Sequence, residues 1–459
     1  LRTRSKMFCG CANAFGGEPN TQVCPVCLGY PGALPVINGE AIRLTVRTGL
    51  LLGCTINLRS KFDRKNYFYP DQAKNYQVSQ YDQPLCSGGH LDIEVDGQRK
   101  RIGITRIHLE EDVAKNMHFE GSSGIDFNRG GTPLMEIVTE PDLTSADETM
   151  AFLLALKQVL QYGEVSDCNL EQGNIRCDVN SSVRRPGETR LGTKVELKNM
   201  NTFKGVHRAL QYELPRQMKD LERGRPVVQE TRRWDDQAGV TEAMRTKEYA
   251  HDYRYFPEPD LLPVQLEEDQ VARWRSELPE LPQVRRARFA EQYGIPEYDA
   301  GVLAADKFVA DYYEETVRRC GQPKAASNWI MTDLLRILSE QNLDVRAVKV
   351  TPAALAGLIT LVEQKVLNMP RAKEVFGILV AEGGDPESIV KARGLAQVSD
   401  SGALEAFVDQ AIAANPKSVA DYRAGKQPAF EFLVGQVMRF SKGKANPQVA
   451  RELLKSRLG

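Results

Sequence analysis

The chain has 459 residues, with 60 basic and 61 acidic side chains, a formal net charge of -1 and 42% hydrophobic residues. That length suits roughly three domains of about 150 residues each and a sizeable core. No apolar run reaches about 18 residues without a charge, which excludes a membrane-spanning helix and predicts a soluble chain. Nine cysteines, an odd number unevenly spread, suit a reducing cytoplasm better than a disulfide framework. The chain starts at Leu1 with no secretory leader, so the expectation is an N-terminus that continues upstream to a methionine.

Cys9 and Cys11, followed after twelve residues by Cys24 and Cys27, form a C-x-C-x12-C-x-x-C set. Four thiolates in two close pairs are what a tetrahedral structural Zn²⁺ site needs; unrelated buried cysteines are the alternative. Cys54, Cys86, Cys168, Cys177 and Cys320 are isolated and read as packing residues. Residues 60–84 mix Arg64 and Lys65 with Tyr67, Phe68, Tyr69, Tyr76 and Tyr81. Aromatics among cations suit a nucleotide, whose base stacks and whose phosphates need positive partners; a surface hairpin with packing tyrosines has the same composition.

In the stretch Ile104 to Asp142 six carboxylates, Glu110, Glu111, Asp112, Glu136, Glu140 and Asp142, sit at the ends of two strand-like runs joined by a polar loop. Asp96-Gly97 between alternating runs predicts a hairpin. Strict alternation puts Ile102, Ile104, Arg106, His108 and Glu110 on one face and Gly103, Thr105, Ile107, Leu109 and Glu111 on the other. Leu134, Glu136, Val138 and Glu140 then share a face opposite Met135 and Ile137. Two later runs repeat the habit: Asn174, Arg176, Asp178 and Asn180 alternate with Ile175, Cys177 and Val179, and Lys194, Glu196 and Lys198 with Val195 and Leu197. A solvated sheet face reads this way for any single strand. Four such strands with interleaved Arg, Lys and Glu favour a site for a polyanion and a hard cation such as Mg²⁺, whose ligands are carboxylates, waters and phosphate oxygens.

Leu143 to Gly163 is predicted as a helix with a Ser145/Glu148 capping box, and Thr202 to Gly224 as a second, both covering the apolar side of the sheet. Residues 230–264 are again basic and aromatic, with Arg232, Arg233, Arg245, Lys247, Arg254, Trp234, Tyr253, Tyr255 and Phe256, and Pro257-Glu258-Pro259 fixes an extended run. Pro279 and Pro282 read as a linker. From about residue 285 the apolar period becomes 3.6, predicting helices over 302–319, 325–341, 352–368 and 403–414. From Asn415 five Lys and four Arg face Asp421, Glu431 and Glu452. Such a basic tail, with Arg439, Lys442 and Lys444 near a helix end, fits a phosphate backbone, although a solvated helical surface is also basic.

No P-loop or Rossmann glycine motif occurs. Gly121-Ser122-Ser123-Gly124 resembles part of an amidase serine loop without its context and reads as a flexible connection. The polar face therefore points to phosphate transfer rather than to a covalent nucleophile.

Taken together, SKMFC, KFDRKNYFYPD, QYDQP, GITRIHLEEDVAK, RGGTPLMEIVTEPD, RCDVNSS, KVELKNMN, RRWD and DYRYFPEPDL resemble the B subunit of the aspartyl/glutamyl-tRNA(Asn/Gln) amidotransferases, in order and over essentially the whole chain. The resemblance implies an α+β catalytic cradle over 1–284, related to glutamine synthetase and guanido kinases and mainly antiparallel, with the zinc segment at its start. An all-α domain over 285–396 and a basic helical tail over 397–459 that contacts tRNA follow. It implies a ligase that uses ATP and Mg²⁺ to phosphorylate the side-chain carboxylate of Glu-tRNA(Gln) or Asp-tRNA(Asn), then amidates it with ammonia. The implied protein partners are an amidase, which delivers ammonia through a tunnel, and a small third protein, the A and C subunits of the same heterotrimer. The misacylated tRNA and a non-discriminating aminoacyl-tRNA synthetase complete the implied set, with no membrane. By resemblance Glu110, Glu111 and Glu136 match metal-binding acids, and Lys65, Tyr67 and Asp71 lie near nucleotide or tunnel. Arg176, Asp178, Lys194, Glu196 and Lys198 follow from the face argument alone. The family also carries a Glu-x-His just before the position of Leu1 that joins the metal site. A zinc-bearing scaffold that only holds tRNA is the alternative.

Overall fold

In a computed structural model the described residues are 1–169, 172–246, 253–396, 401–441, 445 and 447–459, the side chains of 245–246 and 401–403 excepted. They form two compact units, Leu1–Pro282 and Gln283–Gly459. The first is mixed α+β with largely antiparallel sheets; the second is helical.

The first unit is centred on one long strand, Gln98–Glu111. Its first half pairs with His90–Val95 across Asp96-Gly97, both at positive φ as a tight hairpin turn demands. Its second half lies between Cys86–Ser87 and Pro133–Thr139, antiparallel to both. The predicted alternation fails midway along it. Arg106 opposes Val138 while Ile104 opposes Thr139, so Thr105 is an extra, bulged residue. The bulge exchanges the faces, which lets Ile102 and Ile104 enter the same core as Ile107 and Leu109. Arg106, His108 and Glu110 stay together on the opposite face, without the two isoleucines that strict period 2 had assigned to it.

A helix over Gly39–Leu51, capped by the Asn38 side chain on Glu40 N, packs on this strand. Its apolar stripe is interrupted by Thr45 and Thr48, which fit because their hydroxyls donate to the carbonyls of Ala41 and Leu44. The predicted helix at 143–163 spans Ala146–Tyr162, with Ser145 Oγ accepting from Glu148 N. Glu148 reaches back one residue further than the usual capping box, to Thr144 N. Phe203–Glu222 is the second helix, capped by Thr202. The two helices divide the work, Ala146–Tyr162 lying on the His90–Val95 hairpin and Phe203–Glu222 on a second sheet. That sheet runs Val179–Ser181, Val195–Lys198, Glu230–Asp235, Val240–Thr246 and includes one parallel pair, the middle one.

Two loop readings change. The polar connection after Glu111 is a hairpin, Lys115–Phe119 with Ser122–Asp126. Gly121 sits in its turn at φ 75, and the serines that read as a flexible connection are paired strand residues. Pro282 is the first residue of a helix, Pro282–Tyr293, where Pro is tolerated because the N–H it lacks has no helical partner.

In the second unit the predicted helices appear as Lys307–Cys320, Pro323–Trp329 continuing through a π turn at Ile330–Leu334 into Leu335–Gln341, Pro352–Glu363 and Ser401–Ala414. Asp306, which accepts from Phe308 N and Val309 N, starts the first of these later than the period suggested. Its buried apolar residues fall into two clusters, one from Phe289 to Leu395 and one from Leu404 to Leu458. The boundary expected at residue 397 lies outside the described residues. Among the described residues no helix is long and apolar enough to cross a membrane.

Candidate active site

The bulged strand and its neighbour Pro133–Thr139 bring three side chains together. Glu136 opposes His108 across the strand pair, and Glu110 follows His108 by two on the same face. One ligand atom from each of His108, Glu110 and Glu136 lies within 4.8 Å of the others. His108 Nε2 is 3.4 Å from Glu110 Oε1, which also accepts from Ser79 Oγ at 2.7 Å. His108 is 2% exposed, and its Nδ1 has no partner. Burial disfavours charge on Glu110, but the His108 hydrogen bond, the charge of Lys65 and the Ser79 hydroxyl outweigh it and hold the carboxyl below the usual carboxylate range.

Glu111 points the other way, as the next residue of a strand must. Its carboxylate pairs with Lys74 and accepts from Val78 N at 2.9 Å. It faces a cavity of about 180 Å³ that reaches to Cys9, Cys27 and Tyr76. The expected acid trio is thus divided: Glu110 and Glu136 are together, and Glu111 is on the other side of the strand.

The two aromatic and basic stretches, far apart in sequence, meet. Phe256–Pro257 pairs with Asp63–Asn66, which pairs with Tyr76–Ser79. Tyr67 and Tyr253 meet edge to face at 6.2 Å, Tyr253 meets Tyr255 at 6.1 Å, and Tyr255 stacks on Tyr81 at 4.3 Å. Lys65 Nζ lies 5.2 Å from the centre of the Tyr253 ring. Burial raises the Tyr255 hydroxyl above its ordinary range, with the charges of Glu110 and Glu136 adding to the shift. Composition flagged the aromatics, but nothing local signals that residues 63–66 pair with 256–257. Asp71 has a buried Oδ1 without a partner, and burial raises its carboxyl above the ordinary value.

Most of the remaining expected residues have their charges paired. Arg176 forms a two-pronged bond to Asp112, at 3.2 and 2.6 Å. Lys198 Nζ is 3.1 Å from Asp178 and 3.8 Å from Glu196, which also accepts from Thr231 at 2.9 Å. Lys194 is exposed. Lys247 and the side chain of Arg245 lie outside the described residues.

Cys9, Cys11, Cys24 and Cys27 converge, with their Sγ atoms within 4.8 Å of one another. Cys24 N donates to Cys27 Sγ at 3.2 Å. A fully buried Lys6 donates to Phe127 O at 3.1 Å and stands 3.6 Å from Cys27 Sγ. The hydrogen bond from Cys9 above all, aided by Lys6, pulls the Cys27 thiol down to about 4, while Cys9 is pushed up by the same contact. The other five cysteines are free thiols; Cys54, Cys86 and Cys168 are buried and Cys177 and Cys320 half-buried.

In the second unit, Arg439 is exposed near the end of the helix Gln427–Phe440. Lys442 and Lys444 lie outside the described residues.

Comparison with known proteins now gives the class. The family model described as "GatB/GatE catalytic domain" matches residues 1–272, and one described as "GatB domain" matches 311–458. The chain belongs to this family. Among its relatives is the B subunit of the aspartyl/glutamyl-tRNA(Asn/Gln) amidotransferase of Caldicellulosiruptor bescii, 53% identical over 100% of this chain and 96% of the relative. Proteins of the same name from Caldanaerobacter subterraneus subsp. tengcongensis and Trichlorobacter lovleyi are 53% and 51% identical, each over 100% of this chain and 97% of the relative.

Proposed function

We propose that this chain is the kinase and transamidase subunit of a cytoplasmic tRNA-dependent amidotransferase, converting Glu-tRNA(Gln), Asp-tRNA(Asn) or both into the amide forms. The observation that carries this reading is the Glu110–Glu136 pair, on one sheet face with His108 and within reach of the charge of Lys65, in a chain related from end to end to proteins named for that activity. A side-chain carboxylate is a poor acyl donor because its oxygen leaves badly. Attack of that oxygen on the γ-phosphorus of ATP forms a P–O bond, breaks the bond to the β-phosphate oxygen and releases ADP. Ammonia then attacks the acyl carbon, phosphate departs with the electron pair, and the nitrogen loses a proton to leave the amide.

The donor set fits a hard cation. Glu110 and Glu136 offer carboxylate oxygens of the kind Mg²⁺ takes together with phosphate oxygens and water, and His108 Nε2 orients Glu110. Bound there, Mg²⁺ would neutralise phosphate charge. Lys65 would hold the phosphates, with Tyr67, Asp71 and the tyrosine row beside it at the nucleotide. The paired charges of Arg176, Asp178, Lys194, Glu196 and Lys198 would line the approach of the acylated end. The four cysteines, one already favouring the thiolate, suit a closed structural Zn²⁺ site without a role in the chemistry.

Residues 1–284 would form the glutamine synthetase-like cradle, 285–396 a helical domain, and 397–459 a tail that meets tRNA through Arg439, Lys442 and Lys444. An amidase partner and a small third subunit would complete the enzyme.

The test uses the chain co-purified with its amidase partner, misacylated tRNA, ATP, Mg²⁺ and free ammonium in place of glutamine. Amide formation that needs ATP and survives inactivation of the amidase supports the reading. Product only with an active amidase, indifferent to Glu110 or Glu136 substitution, would make this chain a tRNA-holding scaffold.

A further inference from the structure

The acid face needs a cation to meet the phosphoryl group that a metal there would share, and most candidate cations are committed elsewhere. Arg64 is bound to Glu258 and Asp260, Arg176 to Asp112, and Lys198 to Asp178. Arg129 donates to the carbonyls of Val113 and Ala114. Arg106 differs. Downstream of the Thr105 bulge it shares a face with His108 and Glu110, two and four residues further along the same strand. Its Nη1 donates to Tyr81 O at 3.3 Å, which places the guanidinium beside the Tyr81–Tyr255 stack. The Tyr255 hydroxyl feels the charges of Glu110, Glu136 and Arg106 together. Arg106 Nε is buried with no hydrogen-bond partner. A buried guanidinium N–H left unpaired is costly, and it is tolerated where a ligand completes it.

From this arrangement we propose, resting on the function proposed above, that Arg106 is a phosphate-binding catalytic residue. Its Nε and one terminal nitrogen grip the oxygens of the transferring phosphoryl group, on the side of the acid pair away from Glu111. A planar fork suits two phosphate oxygens in a way that a lysine ammonium does not. As the carboxylate oxygen bonds to the γ-phosphorus and the bond to ADP breaks, the charge carried by the equatorial oxygens stays within reach of this guanidinium, and no proton is transferred to or from it.

The experiment compares wild type, Arg106→Ala and Arg106→Lys in the complete complex, using ATP, Mg²⁺, ammonium and misacylated tRNA, with guanidinium chloride added at low millimolar concentration as a second arm. The expected result for Arg106→Ala is a fall in kcat of about 1,000-fold, with the KM for tRNA within about twofold and partial recovery by guanidinium. Arg106→Lys should recover less than a tenth of wild-type kcat. Arg106→Ala within about threefold of an active wild type overturns the proposal, and so does a loss that guanidinium fails to restore while the melting temperature falls, because that is a structural role. A wild type that makes no product from ammonium instead overturns the function on which the proposal rests.

Discussion

Arg64 and Glu258, 194 positions apart, form a two-pronged ion pair at 2.8 and 2.7 Å, with the Glu258 side chain 1% exposed. The Arg64 guanidinium also lies 4.2 Å from the centre of the Tyr76 ring. This pair fastens residues 63–66 to 256–260 and so holds the tyrosine row beside Glu110. Truncating one partner leaves the other charge buried alone. Arg64→Ala should therefore destabilise the chain by about 3 kcal/mol, read as a shift in the denaturant midpoint. An unchanged midpoint would show that the strand pairing holds without the clamp.

The opposed directions of Glu110 and Glu111 separate two effects. Glu110→Gln and Glu136→Gln should each lower ammonium-dependent amide formation at least about 100-fold and raise the Mg²⁺ concentration needed for half-maximal rate, with tRNA binding retained. Glu111→Gln should leave the Mg²⁺ requirement where it was, since its carboxylate faces Lys74 and the cavity. A magnesium titration of the three variants decides, and equal Mg²⁺ dependence in all three would place the metal elsewhere.

Zinc content tests the cysteine knuckle. Purified protein should carry about one zinc per chain, as a single four-sulfur site implies, and Cys24→Ser should abolish it. Lys6→Met removes the cation beside Cys27 and should weaken zinc binding about tenfold, measured by competition with a chromophoric chelator. Zinc-free wild-type protein with an unchanged melting temperature would count against a structural role for the metal.

Acid sensitivity should come in part from Glu213. Its side chain is fully buried; burial opposes its charge, but hydrogen bonds from Arg216, Gln217 and Thr241 outweigh this and hold the carboxyl below its ordinary value of 4.5. A carboxylate whose folded pKa is depressed contributes stability that is present above the unfolded value and is lost as pH falls through the folded one. The urea midpoint should therefore drop as pH falls below about 4.5, and Glu213→Gln, weaker at neutral pH, should drop less over the same range. Parallel pH profiles for the two proteins would remove Glu213 from the account.

The features that local chemistry writes into the chain were legible before the fold: the Asp96-Gly97 turn, the Ser145 cap, the cysteine set and the helical period after residue 285. The acids were legible only as the set Glu110, Glu111 and Glu136, because alternation alone does not say which of the adjacent Glu110 and Glu111 faces Glu136. What escaped depends on distant partners or on a single residue. Alternation says nothing of an extra residue at Thr105, which shows only in the pairing with Val138 and Thr139. Gly121 and the serines after it have loop composition, yet a cross-strand ladder from Lys115 to Asp126 makes them a hairpin. The pairing of Phe256 with Arg64 is set by tertiary contacts that no window of sequence contains.

The Thr105 bulge makes the strand a splice of two reading frames. Upstream of it even-numbered residues face the core, and downstream odd-numbered ones do. Deleting Thr105 would remove the extra residue and leave plain alternation, with Ile104, Ile107 and Leu109 still inward and Arg106, His108 and Glu110 still on the other face. What Thr105 adds is therefore a local bend and twist between hairpin and acid pair.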